Sequence, residues 1–194
     1  MSAMVGVALV LAYALGTVPT AIVVGARHGI DPTTAGSGNP GATNMYRTGG
    51  RRAGTLVLAV DLLKGAVAAA AGLVLGGSTL ALVVGAAAVV GHVFPAQRRF
   101  RGGKGVATAA GVGLVALPLL TLALTVVFVL IARVTGRASI GSMVLCVLWP
   151  LGAALTGRPA VEVAVTALLG ALVLSRHRDN LRRLVARTEP RLGS

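Results

Sequence analysis

Long apolar runs separated by short polar, glycine-rich segments set the pattern of this chain. The runs extend roughly from Met4 to Val24, Ala53 to Leu75, Thr79 to Val93, Val106 to Ala132, Ser142 to Leu155 and Ala160 to Leu174. Several lie near or below the roughly 20 residues that cross a hydrocarbon core as a helix, which predicts some short or tilted spans. Gly113 and Pro118 interrupt the fourth run. A proline inside an apolar run ends a helix, so this run is cut into two short helices turning near Pro118. The pattern predicts an all-α integral membrane protein, a compact bundle of about seven transmembrane helices forming a single domain over residues 1–194.

The distribution of cations orients that bundle, because short loops rich in Lys and Arg stay on the cytoplasmic side. Arg27, Arg47, Arg51 and Arg52 follow the first run; Arg98, Arg99, Arg101 and Lys104 follow the third; Arg133 and Arg137 lie farther on; six arginines from Arg176 to Arg191 close the chain. The connections at Gly76 to Ser78 and at Thr156 to Pro159 carry only Arg158. The expected topology has the N-terminus outside and the C-terminus in the cytoplasm. The first run has no basic residue ahead of it and no convincing cleavage site before the polar Arg27 to Pro32 loop, so it reads as a retained helix rather than a signal peptide.

Composition agrees with a membrane setting: 55% of residues are hydrophobic and only 12% charged, with mean hydropathy +0.85. The 27 glycines point to close helix packing through small side chains. The net charge of +13 would suggest nucleic acid in a soluble protein, but here orientation and anionic lipid explain most of it, and no nucleic-acid partner is expected. Cys146, the one cysteine, lies in an apolar run and reads as a small buried hydrophobe. The five acidic residues are scattered relative to the three histidines, so neither a metal site nor a cofactor is expected.

Orientation does not explain two cationic glycine-rich segments, GSGNPGATNMYR at Gly36 to Arg47 and FRGGKGVAT at Phe100 to Thr108. Closely spaced glycines let successive backbone N–H groups point into one concavity, and a neighbouring Arg or Lys adds full charge, which suits a phosphate. Gly36 to Gly41 also satisfies a dinucleotide fingerprint, but that motif needs a preceding strand, and this loop lies between membrane helices. Lys104 is followed by Gly105, which excludes a Walker A loop. Asp61 and Lys64 fall inside the second apolar run, three residues apart; an ion pair that shapes the site and direct substrate contact both remain open. A local pair is expected between Arg158 and Glu162, a structural role for His92 in GHVFP, and a solvated His28.

GSGNPGATNMYR, then Asp61-Leu62-Leu63-Lys64-Gly65, then GHVFPAQRRFRGGKGVAT closely resemble, in order and spacing, the bacterial acyl-phosphate-dependent glycerol-3-phosphate acyltransferases. Ser139 and Ser142 in RASIGS and the tail His177-Arg178-Asp179-Asn180-Leu181-Arg182-Arg183-Leu184 extend the likeness over about residues 36 to 189. Arg101 stands where that family usually has Lys, and Arg187 where it usually has Gly.

The resemblance implies transfer of a fatty acyl group from acyl phosphate to the sn-1 hydroxyl of glycerol 3-phosphate, giving 1-acylglycerol 3-phosphate and phosphate. It implies substrate binding by Ser37, Gly38, Asn39, Thr43, Asn44, Arg47, Arg101, Gly103, Lys104, Ser142, His177 and Asn180, with His177, Asn180 and Lys104 as the catalytic candidates. The implied partners are glycerol 3-phosphate, fatty acyl phosphate, membrane lipid and a soluble enzyme that makes the acyl phosphate. An acyl phosphate is already activated, so positioning and electrostatics carry the reaction, with backbone N–H groups of the glycine loops as oxyanion donors. His177 is the candidate general base, with Asn180 on the same helix face if the segment is helical; a substrate phosphate oxygen could take the proton instead. No histidine is followed by Asp five positions on, the spacing typical of thioester-using membrane acyltransferases, which favours acyl phosphate over acyl-CoA. The competing class is a transporter of an organic phosphate anion, against which stand the one-sided placement of the motifs and the lack of an inverted repeat.

Overall fold

In the computed structural model, which describes residues 2–192, all regular elements among those residues are helical. The chain divides into two compact units, one ending at Ala116 and one running from Leu117 to Leu192.

The first unit opens with α1 (Ser2–Gly16) and α2 (Thr20–Ala26), where the hydrophobic pattern predicts one uninterrupted helix. The break falls at Thr17 to Pro19, because the Pro19 ring has no N–H to donate and would collide with the preceding turn. Carbonyls stranded by the break find a donor from elsewhere: Lys64 Nζ donates to Gly16 O at 3.3 Å and Val18 O at 3.0 Å.

The first glycine-rich motif is not loop throughout, since its second half forms α3 (Ala42–Thr48). The long α4 (Gly50–Val93) is a hairpin whose arms meet at Gly76 and Gly77, the latter at φ 76°, a left-handed value that glycine adopts at little cost. A Cβ on Gly72 would overlap the Leu80 carbonyl, a residue that would lie about 12 Å away along a straight helix. The turn coincides with the connection expected between the second and third apolar runs.

The next helix, α5 (Val106–Ala116), packs on both arms of the hairpin. Gly65 faces the Thr108 carbonyl, Gly111 the Leu62 carbonyl and Gly85 the Val112 side chain, each so closely that a Cβ would overlap its neighbour. Gly16 meets the Ala88 carbonyl and Gly91 the Tyr13 carbonyl in the same way. Backbones approach this closely only where side chains are absent, which is the packing that the glycine content predicts.

The second unit contains α6 (Pro118–Thr135), α7 (Ala138–Leu155), α8 (Ala160–Ser175) and α9 (Arg178–Val185). Pro118 begins α6, so the fourth apolar run is divided where expected. Phe128 fills the space over Gly141, and the Cys146 carbonyl abuts Gly170. Arg158 and Glu162 form the expected pair at 2.7 Å. By length and hydropathy, four stretches among the described residues are able to cross a membrane, and α8 with α9, bent by 55°, would make a fifth. The α4 stretch counts once in that reckoning although it doubles back, and α5, with 11 residues, is too short to span alone at about 1.5 Å per residue.

Candidate functional site

In the first unit the polar turn before the GSGNPGATN motif is closed by Asp31, whose Oδ1 accepts the Thr33 hydroxyl at 2.7 Å and the Thr33 N–H at 2.9 Å. These bonds, the hydroxyl first, hold the Asp31 carboxyl below its ordinary value. Gly36 and Gly38 then take left-handed φ of 60° and 68°, which folds the loop over α3. Asn44 lies within that fold, only 1% exposed. Its Nδ2 donates to Pro32 O and Ala35 O, both at 3.0 Å, and its Oδ1 accepts the Ser37 N–H at 2.9 Å. Asn44 therefore shapes the loop from inside. Ser37, Asn39, Thr43 and Arg47 are half-buried around it, and Gly38 is exposed at the crest.

The second motif is tied to the end of α4. The Gly102 N–H donates to Val93 O and the Gly103 N–H to His92 O, both at 3.1 Å, so these two groups satisfy helix carbonyls instead of lining an anion concavity. Gly103 contributes close approach, its missing Cβ leaving room for the His92 Nε2 edge. Between them and the helix, Arg99 and Phe100 are held at φ 52° and 60°, uncommon for residues with a Cβ, and Phe100 N–H donates to Pro95 O at 3.0 Å. Arg101 is exposed and Lys104 half-buried. Pro40 of the first motif and Gly102 and Gly103 of the second border one small cavity of about 20 Å³, whose lining also includes Thr20, Asp61 and His92. The structure thus makes the two motifs neighbours.

In the second unit His177 is not inside a helix but caps α9, its carbonyl accepting the Leu181 N–H at 2.9 Å. Its ring turns back on α8, where Nδ1 is 2.8 Å from Val173 O. A carbonyl only accepts, so this contact assigns the proton to Nδ1 and the lone pair of the neutral imidazole to Nε2. Asn180, in the first turn of α9, donates through Nδ2 to Glu189 Oε1 at 2.6 Å. Ser142 is buried in α7, its Oγ donating to Ala138 O at 3.0 Å.

Comparison with known proteins settles the family. A model of the family described as glycerol-3-phosphate acyltransferase matches residues 6–187. The chain belongs to the glycerol-3-phosphate acyltransferases. Among its relatives in this family, a glycerol-3-phosphate acyltransferase of Bacillus velezensis is 41% identical over 190 residues, covering 97% of this chain and 98% of the relative. One of Rubrobacter xylanophilus is 41% identical over 186 residues, covering 95% and 94%. Crystal structures of PlsY (YgiH), an integral membrane glycerol 3-phosphate acyltransferase, superimpose with TM-scores of 0.93 for its glycerol 3-phosphate form and 0.90 for its lysophosphatidic acid form. Both are 34% identical and cover 97% of this chain, with 96% and 95% of their own lengths matched. An all-helical, multi-pass membrane acyltransferase is what the apolar runs and motifs predict.

Sequence reasoning missed one residue that organises the acyltransferase tail. Glu189 is 4% exposed and gathers donors from across its unit: Ser139 Oγ at 2.7 Å and Asn180 Nδ2 on Oε1, and Arg183 Nε on Oε2 at 2.8 Å. Arg137 Nε adds a bond to its backbone carbonyl at 3.2 Å. Burial pushes the Glu189 carboxyl up, but the Ser139, Asn180 and Arg183 hydrogen bonds, with the Arg183 charge, outweigh it and leave the group below 4.5. The signal in the sequence was a carboxylate set among arginines. Of the two readings open for Asp61 and Lys64, an ion pair is present at 2.8 Å, with His92 beside both.

Proposed function

We propose that this acyltransferase takes its acyl group from a fatty acyl phosphate and delivers it to the sn-1 hydroxyl of glycerol 3-phosphate at the cytoplasmic face of a bacterial inner membrane. The hydroxyl oxygen attacks the acyl carbonyl carbon; the tetrahedral intermediate expels phosphate as the bond between the acyl carbon and the bridging phosphate oxygen breaks; the products are lysophosphatidic acid and inorganic phosphate. The observation that carries the proposal is the whole-length likeness to PlsY in forms with glycerol 3-phosphate and with lysophosphatidic acid, which match an acceptor and a product of this transfer. Lys104 and Arg47, supported by Arg101, neutralise phosphate charge, and Ser37, Gly38, Asn39, Thr43 and Gly103 form the surrounding loop surface. Asn44 serves by fixing that loop. His177 Nε2 receives the hydroxyl proton, a role favoured by the tautomer that Val173 O imposes. Asn180 and Ser142 orient the reacting groups. A soluble enzyme that forms acyl phosphate is the expected supplier of donor.

The test is phosphate release by purified, detergent-solubilised protein given palmitoyl phosphate with and without glycerol 3-phosphate, with palmitoyl-CoA as the comparison donor. Release that requires both substrates, and acyl transfer that fails with the thioester, is expected. Transfer from palmitoyl-CoA at an equal rate would refute the donor assignment. Lys104→Met is expected to abolish turnover while the protein stays folded, and normal activity in that variant would remove Lys104 from the site.

A further inference from the structure

Three ionisable side chains meet inside the first unit, beneath the two motif loops. Asp61 and Lys64 lie one turn apart on the first arm of α4, 2% and 4% exposed, and His92 sits near the end of the second arm. An isolated charge at such depth is unfavourable, so the arrangement around Lys64 is informative. Its ammonium donates to Val18 O at 3.0 Å and Gly16 O at 3.3 Å, with Asp61 Oδ1 beside it at 2.8 Å as its charge partner. His92 Nδ1 is 3.4 Å from Lys64 Nζ and 3.7 Å from Asp61 Oδ1.

The opposite edge of the imidazole faces the loop. His92 Nε2 occupies the direction in which a Gly103 Cβ would project, while the His92 and Val93 carbonyls receive the Gly103 and Gly102 N–H groups at 3.1 Å. One ring nitrogen thus touches the buried ion pair and the other abuts the residue immediately before Lys104. A ring of fixed width between a fixed anchor and a glycine backbone is a spacer. Moving it moves the loop.

We propose that His92, anchored by the Asp61 and Lys64 pair, is a positioning residue that sets the Gly103–Lys104 segment, so that phosphate binding at the loop depends on an ion pair within a membrane helix. The proposal rests on the reading of Lys104 as a phosphate-binding residue. A merely structural role would lower thermal stability and total activity; a positioning role changes the affinity for the phosphate substrate in protein that stays folded.

The experiment measures KM for glycerol 3-phosphate and kcat, with melting temperature and size-exclusion profile, for His92→Ala, for the double variant Asp61→Asn with Lys64→Met, and for all three changes together. The double variant removes both charges at once, so neither is left buried alone. In folded His92→Ala protein KM is expected to rise at least about tenfold, with kcat less affected. The double variant should raise KM comparably, and the triple variant should be no worse than the more impaired of the two, because one chain of contacts is being cut at two places. A KM within about twofold of the unmodified protein in folded His92→Ala would overturn the proposal, as would fully additive effects in the triple variant. Lys104→Met measured alongside separates the two failures: normal activity there removes the phosphate reading itself, whereas abolished turnover there with a normal His92→Ala removes only the positioning role.

Discussion

Replacing Glu189 by Ala should release the C-terminal tail, and the size of the effect follows from what the carboxylate holds. Ser139 and Asn180 are 8% and 5% exposed, so each would keep a buried donor with its acceptor removed. Such a loss costs about 1–3 kcal/mol per donor. The Arg183 side chain is 30% exposed, and solvent screening limits its ion pair to about 0–1 kcal/mol. The sum, about 2–7 kcal/mol, falls on the segment from Arg183 to Leu192, whose last amide is held by Gly136 O at 2.7 Å. Hydrogen exchange read by mass spectrometry over residues 186–192 should therefore quicken at least about thirtyfold, the factor for 2 kcal/mol. The same clasp should respond to acid. Because the Glu189 carboxyl is held below 4.5 in the folded protein, its contribution is present above that value and is lost as pH falls through the depressed one. Tail exchange, corrected for intrinsic rate, should rise only on the acid side of about 4.5, and Glu189→Gln should remove this step. Unchanged exchange in Glu189→Ala would refute the reasoning, since the tail would then be held by bonds to backbone carbonyls such as Arg137 Nε to Glu189 O and Leu192 N–H to Gly136 O rather than by the carboxylate.

Arg187 sits at φ 59°, so Arg187→Gly relieves a left-handed backbone and should stabilise the same tail by about 0.5–1 kcal/mol, read as slower exchange. Gly65→Ala drives a Cβ into the Thr108 carbonyl and should lower stability by about 1–3 kcal/mol in a thermal melt, whereas Gly6→Ala, with open space around it, should leave the melt unchanged. Asn44→Ala strands the Ser37 N–H and two loop carbonyls, and should raise KM for glycerol 3-phosphate about tenfold while the helices stay intact by circular dichroism.

Much of the helical layout is legible in the apolar runs, because burial in lipid leaves few other ways to satisfy a backbone. The turns at Gly76 and Pro118 were readable too: Gly76, Gly77 and Ser78 interrupt the apolar pattern, and a proline cannot continue a helix. The break after Gly16 was less visible, since Thr17 and Val18 keep the run apolar and its stabilising partner, Lys64, lies 48 residues away. The glycines of the first motif mark only the half that precedes the helix over Ala42–Thr48, and nothing in the segment announces the helix itself. The catalytic and binding candidates came from motif likeness, whereas the jobs of Asn44, His92 and Glu189 are set by bonds between segments distant in sequence, which no local pattern encodes.

The pairing of Asp61 with Lys64 bears on how the chain enters the membrane. Each alone would add about 2.5–3.5 kcal/mol to the insertion of a span at its centre. One turn apart on a single helix, they meet at 2.8 Å as soon as that helix forms, before the second arm of the hairpin or α5 has been synthesised or packed. The segment can therefore present itself to the insertion machinery as a nearly neutral rod. A chain of identical composition with Lys64 exchanged for Leu63, which moves the ammonium to the lipid side of the helix, should insert less efficiently even though nothing in its hydropathy has changed.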